Sequence, residues 1–237
     1  MIFQLTEYLR LFIVFVPQVF LVVVFCFLIF KILKRNTNRS SLILSGFYFT
    51  VSLGLGMNAI AVLIAFYSPG EFIAILYFLA TYFTMLSFVF VIVFILSLLK
   101  LKSVFTRKKA LLIILVYGVV WLLLHLYPGG VTYSEENWAP IYNPLLFLAV
   151  NILFTLSFTI PVVYYAIRLR RLFIDPNLKK KLSWFLIGIT IQIFLIYGVM
   201  LYNTWDDTTF KTVWGISAIV LLISSGLLIY YGIGRDL

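Results

Sequence analysis

The stretch that decides the fold is Phe72 to Leu99, FIAILYFLATYFTMLSFVFVIVFILSLL: 28 residues without one charge. As a helix it would be about 42 Å long. About 20 apolar residues suffice to cross the ~30 Å hydrocarbon core of a bilayer. Six further charge-free runs flank it: Leu11 to Phe30, Leu42 to Tyr67, Ala110 to Tyr127, Leu145 to Ile167, Leu182 to Tyr202 and Thr212 to Gly234. The first holds 17 Leu, Ile, Val and Phe residues, which outweigh Pro17 and Gln18 on a transfer scale of roughly −0.3 to −0.6 kcal/mol each. In lipid, only helices and closed barrels pair every backbone group. These runs are apolar on all sides, unlike the alternating ten-residue segments of a barrel. The reading is an all-α membrane protein, a bundle of seven transmembrane helices forming a single domain over 1–237.

Composition agrees. The chain is 64% hydrophobic and 11% charged, against about half and a quarter in soluble domains. One soluble core of this size cannot hide so much apolar surface.

The charges orient the bundle. Lys31, Lys34, Arg35 and Arg39 follow the first run. Lys100, Lys102, Arg107, Lys108 and Lys109 follow the third. Arg168, Arg170, Arg171, Lys179, Lys180 and Lys181 follow the fifth, and Arg235 the seventh. Thus 16 of the 18 basic residues lie on one side, leaving Arg10 and Lys211 on the other. The positive-inside rule makes the rich side cytoplasmic, with the N-terminus outside and the C-terminus inside. Trp205 and Trp214 near the outer ends, and Trp184, Tyr230 and Tyr231 near the inner ends, are expected as interfacial anchors.

The start of the chain lacks the basic n-region and small-residue cleavage site of a signal peptide, so the first helix is expected to stay. Catalysis finds little to work with. The single histidine, His125, has no Cys or His partner for a metal and no local Ser or Asp arrangement for a triad. Cys26 is the lone cysteine, which excludes an intrachain disulfide. No phosphate loop and no nucleic-acid motif accompany the basic clusters. Topology and anionic lipid headgroups at the cytoplasmic face account for those. The expectation is a non-enzyme without cofactor or metal. No Asp, Glu, Lys or Arg lies in mid-run, which argues against proton pumps and voltage sensors.

What the runs do carry is neutral and polar: Gln18, Asn58, Thr81, Thr84, Asn151 and Gln192. Gly46, Thr50, Gly54 and Asn58 recur every four residues, as do Asn151, Thr155 and Thr159, so each set forms a stripe that should face other helices. Val51, opposite the first stripe, is expected to meet lipid. The polar groups read either as interhelical hydrogen-bonding glue or as a ligand pocket open to the outside. The longest outer connection, Pro128 to Asn143, sets Glu135 and Glu136 beside Trp138. It reads either as a lid over that pocket or as a loop resting on the interface.

Two stretches carry a resemblance: Tyr164-Tyr165-Ala166-Ile167-Arg168-Leu169-Arg170-Arg171 with Lys179-Lys180-Lys181-Leu182 and Leu186-Ile187-Gly188, and Ile229-Tyr230-Tyr231-Gly232-Ile233-Gly234-Arg235. With the seven-helix pattern, they resemble the N-terminal membrane sensor region of prokaryotic histidine kinases. That resemblance implies a sensor-like or receptor-like module in a cell membrane. The sequence stops at Leu237 without a kinase domain, so it further implies a cytoplasmic signalling protein as partner; a homodimer also fits. The alternatives are a small-solute carrier like the SWEET and PQ-loop proteins, to which Pro17-Gln18 and Pro161 are similar, and a structural membrane subunit. Helix 3 ends Ser97-Leu98-Leu99-Lys100, without the acidic-Arg-aromatic motif of rhodopsin-like receptors. Lys211 sits at the wrong depth for a retinal Schiff base.

Overall fold

Each charge-free run folds as a helix, and most of the helices start before their runs because charged and polar residues there are also helical. The computed structural model describes residues 2–67, 72–99, 106–127, 129–134 and 139–234. The helices are α1 (Ile2–Arg35), α2 (Arg39–Tyr67), α3 (Phe72–Leu98), α4 (Arg107–His125), α5 (Pro144–Leu172), α6 (Pro176–Tyr202) and α7 (Thr208–Ile229). All seven are long and apolar enough to cross a membrane.

Side-chain caps set several starts. Thr106 Oγ1 accepts from the Lys109 amide, Asn143 Oδ1 from Leu145, Asp175 Oδ1 from Asn177 and Asp207 Oδ1 from Phe210. These bonds satisfy amides that have no partner inside the helix. Pro144 and Pro176 follow two of these caps, where the missing N–H costs nothing.

Contacts at the two ends show that the helices alternate in direction. At one end, Ser40 meets Ser97 at 3.5 Å, Arg39 donates to the Thr106 carbonyl, and the Lys31 ammonium lies 6.0 Å from the Tyr230 ring. This end gathers the basic residues and is called the basic end below. At the other, Phe78 packs edge-on to His125, and the Tyr142 amide donates to the Asn203 carbonyl at 2.9 Å. A small antiparallel hairpin covers this end, β1 (Val131–Ser134) on β2 (Ala139–Tyr142), with Val131 opposite Tyr142. It begins after a turn at Gly129, whose φ of +70° suits glycine.

α2 and α3 form the centre. Gly46 and Gly54 face α3: a Cβ on Gly46 would lie 2.7 Å from the Phe90 ring, and one on Gly54 would meet Thr84 Oγ1 and come within 2.9 Å of the Ala80 carbonyl. Small residues let the two backbones approach closely. The opposite side of α2 is not a lipid face. Val51 is buried, because α2 packs on α1 as well as α3 and reaches α7 through Tyr48, whose hydroxyl donates to the Gly226 carbonyl at 3.0 Å. The exposed side of α2 carries Leu42, Phe49 and Ile60 instead.

The expected aromatic anchors divide. Trp205, Trp184 and Tyr231 are exposed, whereas Trp214 and Tyr230 are buried. Gly198 on α6 makes the slot that takes Trp214, since a Cβ there would overlap the indole ring. α5 is interrupted by a π turn at Thr155–Thr159, and a second π turn, Tyr230–Gly234, ends α7. Pro161 explains the first. It has no N–H, and its ring crowds the carbonyl four residues back, that of Ser157. A wider turn relieves that crowding.

Candidate functional site

Among the described residues, the polar groups singled out in the sequence take part in three links, with a remainder. The link nearest the hairpin joins α3 to β2. Thr81 Oγ1 bonds the Tyr77 carbonyl at 2.9 Å and lies 3.0 Å from the Tyr142 hydroxyl. Tyr142 is buried, which pushes its phenol pKa up; its hydrogen bonds with Thr81 and Asn203 oppose part of that shift. The hairpin is therefore fastened over α3 and α6 by both the backbone and the side chain of one residue.

A second link joins α5 to α6 at the π turn. Thr155 and Thr159 both reach the Tyr197 hydroxyl, at 2.6 and 3.2 Å. Thr155 also donates to the Asn151 carbonyl, and Asn151 Nδ2 to the Phe147 carbonyl at 2.7 Å. The third link joins α6 to α7. Gln192 is buried, and its Nε2 donates to Ser225 Oγ at 2.7 Å, which donates in turn to the Leu222 carbonyl.

Gln192 belongs to a different layer from Asn58. Ser225 adjoins Gly226, which takes the Tyr48 hydroxyl bond. Tyr48 lies ten residues from Asn58 along α2, or about 15 Å. Thr84 donates to the Ala80 carbonyl and packs on Gly54. Gln18 is half-buried on α1, with its Oε1 sealed from solvent and unpaired among the described residues. Asn58 is half-buried, and its amide takes part in none of the three links. Glu135, Glu136 and Trp138 lie outside the described residues.

Between the hairpin-side polar groups and the basic end sits a plug of aromatic rings. Phe88 on α3 packs against Phe154 and Phe158 on α5, at 5.0 and 4.7 Å between centroids, and Phe154 also meets Tyr197. Val89, Val91, Val93, Phe94 and Ile95 continue this apolar layer towards the basic end, all of them buried.

The residues missed in the sequence are the tyrosines and a serine. Tyr48, Tyr197 and Tyr142 count as apolar in composition, yet each carries a hydroxyl that needs a partner. A tyrosine deep within a charge-free run is the signal that points to Tyr48 and Tyr197, whereas Tyr142 lies in the connection between two runs. Ser225 offered no such signal, because serines within helices usually bond their own backbone.

A scan against models of known protein families finds no match, and a search of curated proteins finds none either.

Proposed function

We propose that this chain is an integral membrane sensor-like module and not an enzyme. Its seven helices span the bilayer with the basic end in the cytoplasm and the N-terminus outside. The ligand side is the hairpin end. There Gln18, Asn58, Thr81, Thr84 and Asn151 offer amide and hydroxyl groups to a small polar ligand under the hairpin, and Gln192 ties α6 to α7 beneath them. Signal leaves through the basic end to a cytoplasmic partner protein or a second copy of the chain, against anionic headgroups.

The observation that carries this reading over a carrier is the ring plug of Phe88, Phe154 and Phe158. A carrier must open one site to both sides in turn, and a polar solute would have to pass these rings and the valines beyond them. A sensor needs only a small shift of packed helices that a partner reads.

Thiol accessibility tests the reading. On a Cys26→Ala background, cysteine at exposed Thr209 should react with an impermeant maleimide in whole cells, and cysteine at exposed Asn177 should not; the reverse overturns the orientation. Cysteines at Val91 and Ile223 should resist a water-soluble reagent applied from the cytoplasmic side. Strong labelling there, protected by a sugar or an amino acid, would replace the sensor with a carrier.

A further inference from the structure

The turn that joins α5 to α6 at the basic end carries apolar side chains where a bilayer does not reach. The charge-free runs of these helices, Leu145 to Ile167 and Leu182 to Tyr202, are each about 32–35 Å long as helix, which matches the ~30 Å hydrocarbon core. α5 continues to Leu172 and α6 starts at Pro176, so both helices run about 8–9 Å past the last residue of the run. A headgroup layer is about 5–7 Å deep, and the turn stands clear of it. There Ile174 is 90% exposed, more than any other large apolar side chain described, and Leu172 and Leu178 are exposed on either side of it in sequence.

Cations flank these side chains. Arg168, Arg170, Arg171, Lys179 and Lys180 are all exposed, and none has an ion-pair partner among the described residues. Topology accounts for the charges but not for the apolar tip. The α1–α2 turn at the same end satisfies the same rule with Lys34 and Arg35, and its tip, Asn36 to Asn38, is polar. A single exposed apolar side chain is ordinary on a surface in water. Three within seven residues, bordered by charge of one sign, mark a site of interaction.

The tip is also preformed. Phe173, between Leu172 and Ile174, packs against the core, and Leu169 and Leu182 are buried on either flank. Asp175 caps α6 through the Asn177 amide, its carbonyl takes the Lys179 amide at 3.0 Å, and Pro176 opens the helix. A partner therefore need not order this turn before binding it. We propose that the α5–α6 turn is the surface that holds the cytoplasmic partner, a protein that offers an apolar hollow to Leu172, Ile174 and Leu178 and carboxylates to the surrounding cations. This rests on the reading above, in which the basic end faces the cytoplasm and signals there. A second copy of the chain would set like charges against each other at this tip, and the headgroups lie below it.

Thiol protection in the full chain tests this. Ile174→Cys and Thr37→Cys, the latter at the exposed tip of the α1–α2 turn, are made on the Cys26→Ala background. Each is labelled with a membrane-permeant maleimide in native cells at native expression, and again after purification into nanodiscs of phosphatidylcholine and phosphatidylglycerol. Relative to Thr37→Cys, Ile174→Cys should react several-fold more slowly in cells and at full rate in nanodiscs. Lys179→Gln with Lys180→Gln should restore its rate in cells. In the chain with both lysines, a carbodiimide should couple Lys179 or Lys180 to an Asp or Glu of a different protein. Fast reaction in both settings means that nothing covers the tip, and slow reaction in both means that the membrane does; either overturns the proposal. Protection that survives the loss of both lysines, or coupling to a carboxylate of a second copy, overturns it too. Labelling of Thr37→Cys by an impermeant maleimide in whole cells would put the basic end outside, and then the functional reading fails as well.

Discussion

α3 and α7 are both strongly apolar helices of membrane-spanning length, yet 56% of the most apolar stretch of α3 is buried inside the protein, against 17% for α7. α3 packs on α2, α4 and α5, whereas α7 rests chiefly on α6 and touches α1 lightly. Hydropathy thus measures compatibility with lipid and says little about which helix the others surround. In water an exposed apolar face is a liability. In a bilayer it costs nothing, so the usual coupling between apolar and central is lost.

The comparison breaks most easily at Phe88. Truncating a buried ring leaves a cavity that protein neighbours cannot fill, at a cost of about 3–5 kcal/mol. Val220 on α7 is 61% exposed, so its loss leaves no enclosed cavity and should cost no more than about 0.5 kcal/mol. Phe88→Ala should therefore lower the midpoint of thermal unfolding in detergent far more than Val220→Ala. Equal shifts would remove the distinction between the two helices.

The close approach of α2 and α3 gives the next effect. Gly54→Leu places a branched side chain against Thr84 and the Ala80 carbonyl and should destabilise by about 1–3 kcal/mol. Ile60→Leu, on the exposed side of the same helix, should be nearly silent. Unfolding midpoints that cannot be told apart would put the packed face of α2 elsewhere.

A smaller change sharpens the picture of α7. Tyr48 is its hydrogen-bonded tie to the centre. Tyr48→Phe keeps the ring and removes the bond, for an expected loss of about 0.6 kcal/mol, the average for such bonds in membrane helices. Hydrogen exchange should quicken in α7 around Gly226 and stay unchanged in α3. Faster exchange in both helices alike would show that α7 is no more loosely attached than the core.

The smallest effect lies at the start of α7. The Lys211 ammonium, 2.7 Å away, hydrogen-bonds and attracts the exposed Asp206 carboxylate and holds its pKa below the usual range. A depressed folded pKa adds stability above the unfolded value, and that stability fades as pH falls through the folded one. The pair is exposed, so the gain is slight. Wild type should exceed Asp206→Asn marginally in unfolding midpoint at neutral pH, with the two curves meeting in acid. A gap that widens on acidification contradicts the sign.

The candidate site was legible in part. Thr81, Asn151 and Gln192 announced themselves as polar residues in apolar runs, and each is buried or half-buried as such residues must be. Their partners did not. Tyr142 was read as part of a loop, and only the hairpin brings it under Thr81. Tyr197 meets Thr155 and Thr159 because a π turn reshapes α5 there. Nothing in the fifth run gave the form of that turn, although Pro161 lies within the run.

By itself, the sequence determined seven helices of spanning length, roughly where each begins and ends, and a polar stripe on α2 and on α5. Those follow from chain-local physics: runs without charge, helical periodicity and the residues at the boundaries. Tertiary structure alone decided that α2 and α3 form the centre, that Val51 and Trp214 are inside, and that Gln192 bonds Ser225 in a different layer from Asn58. Those choices depend on which small residue opens a slot for which large one, as Gly198 does for Trp214. They also depend on which hydroxyls meet across helices far apart in sequence. An apolar solvent rewards every outward apolar face equally, so no pattern within a single helix records them.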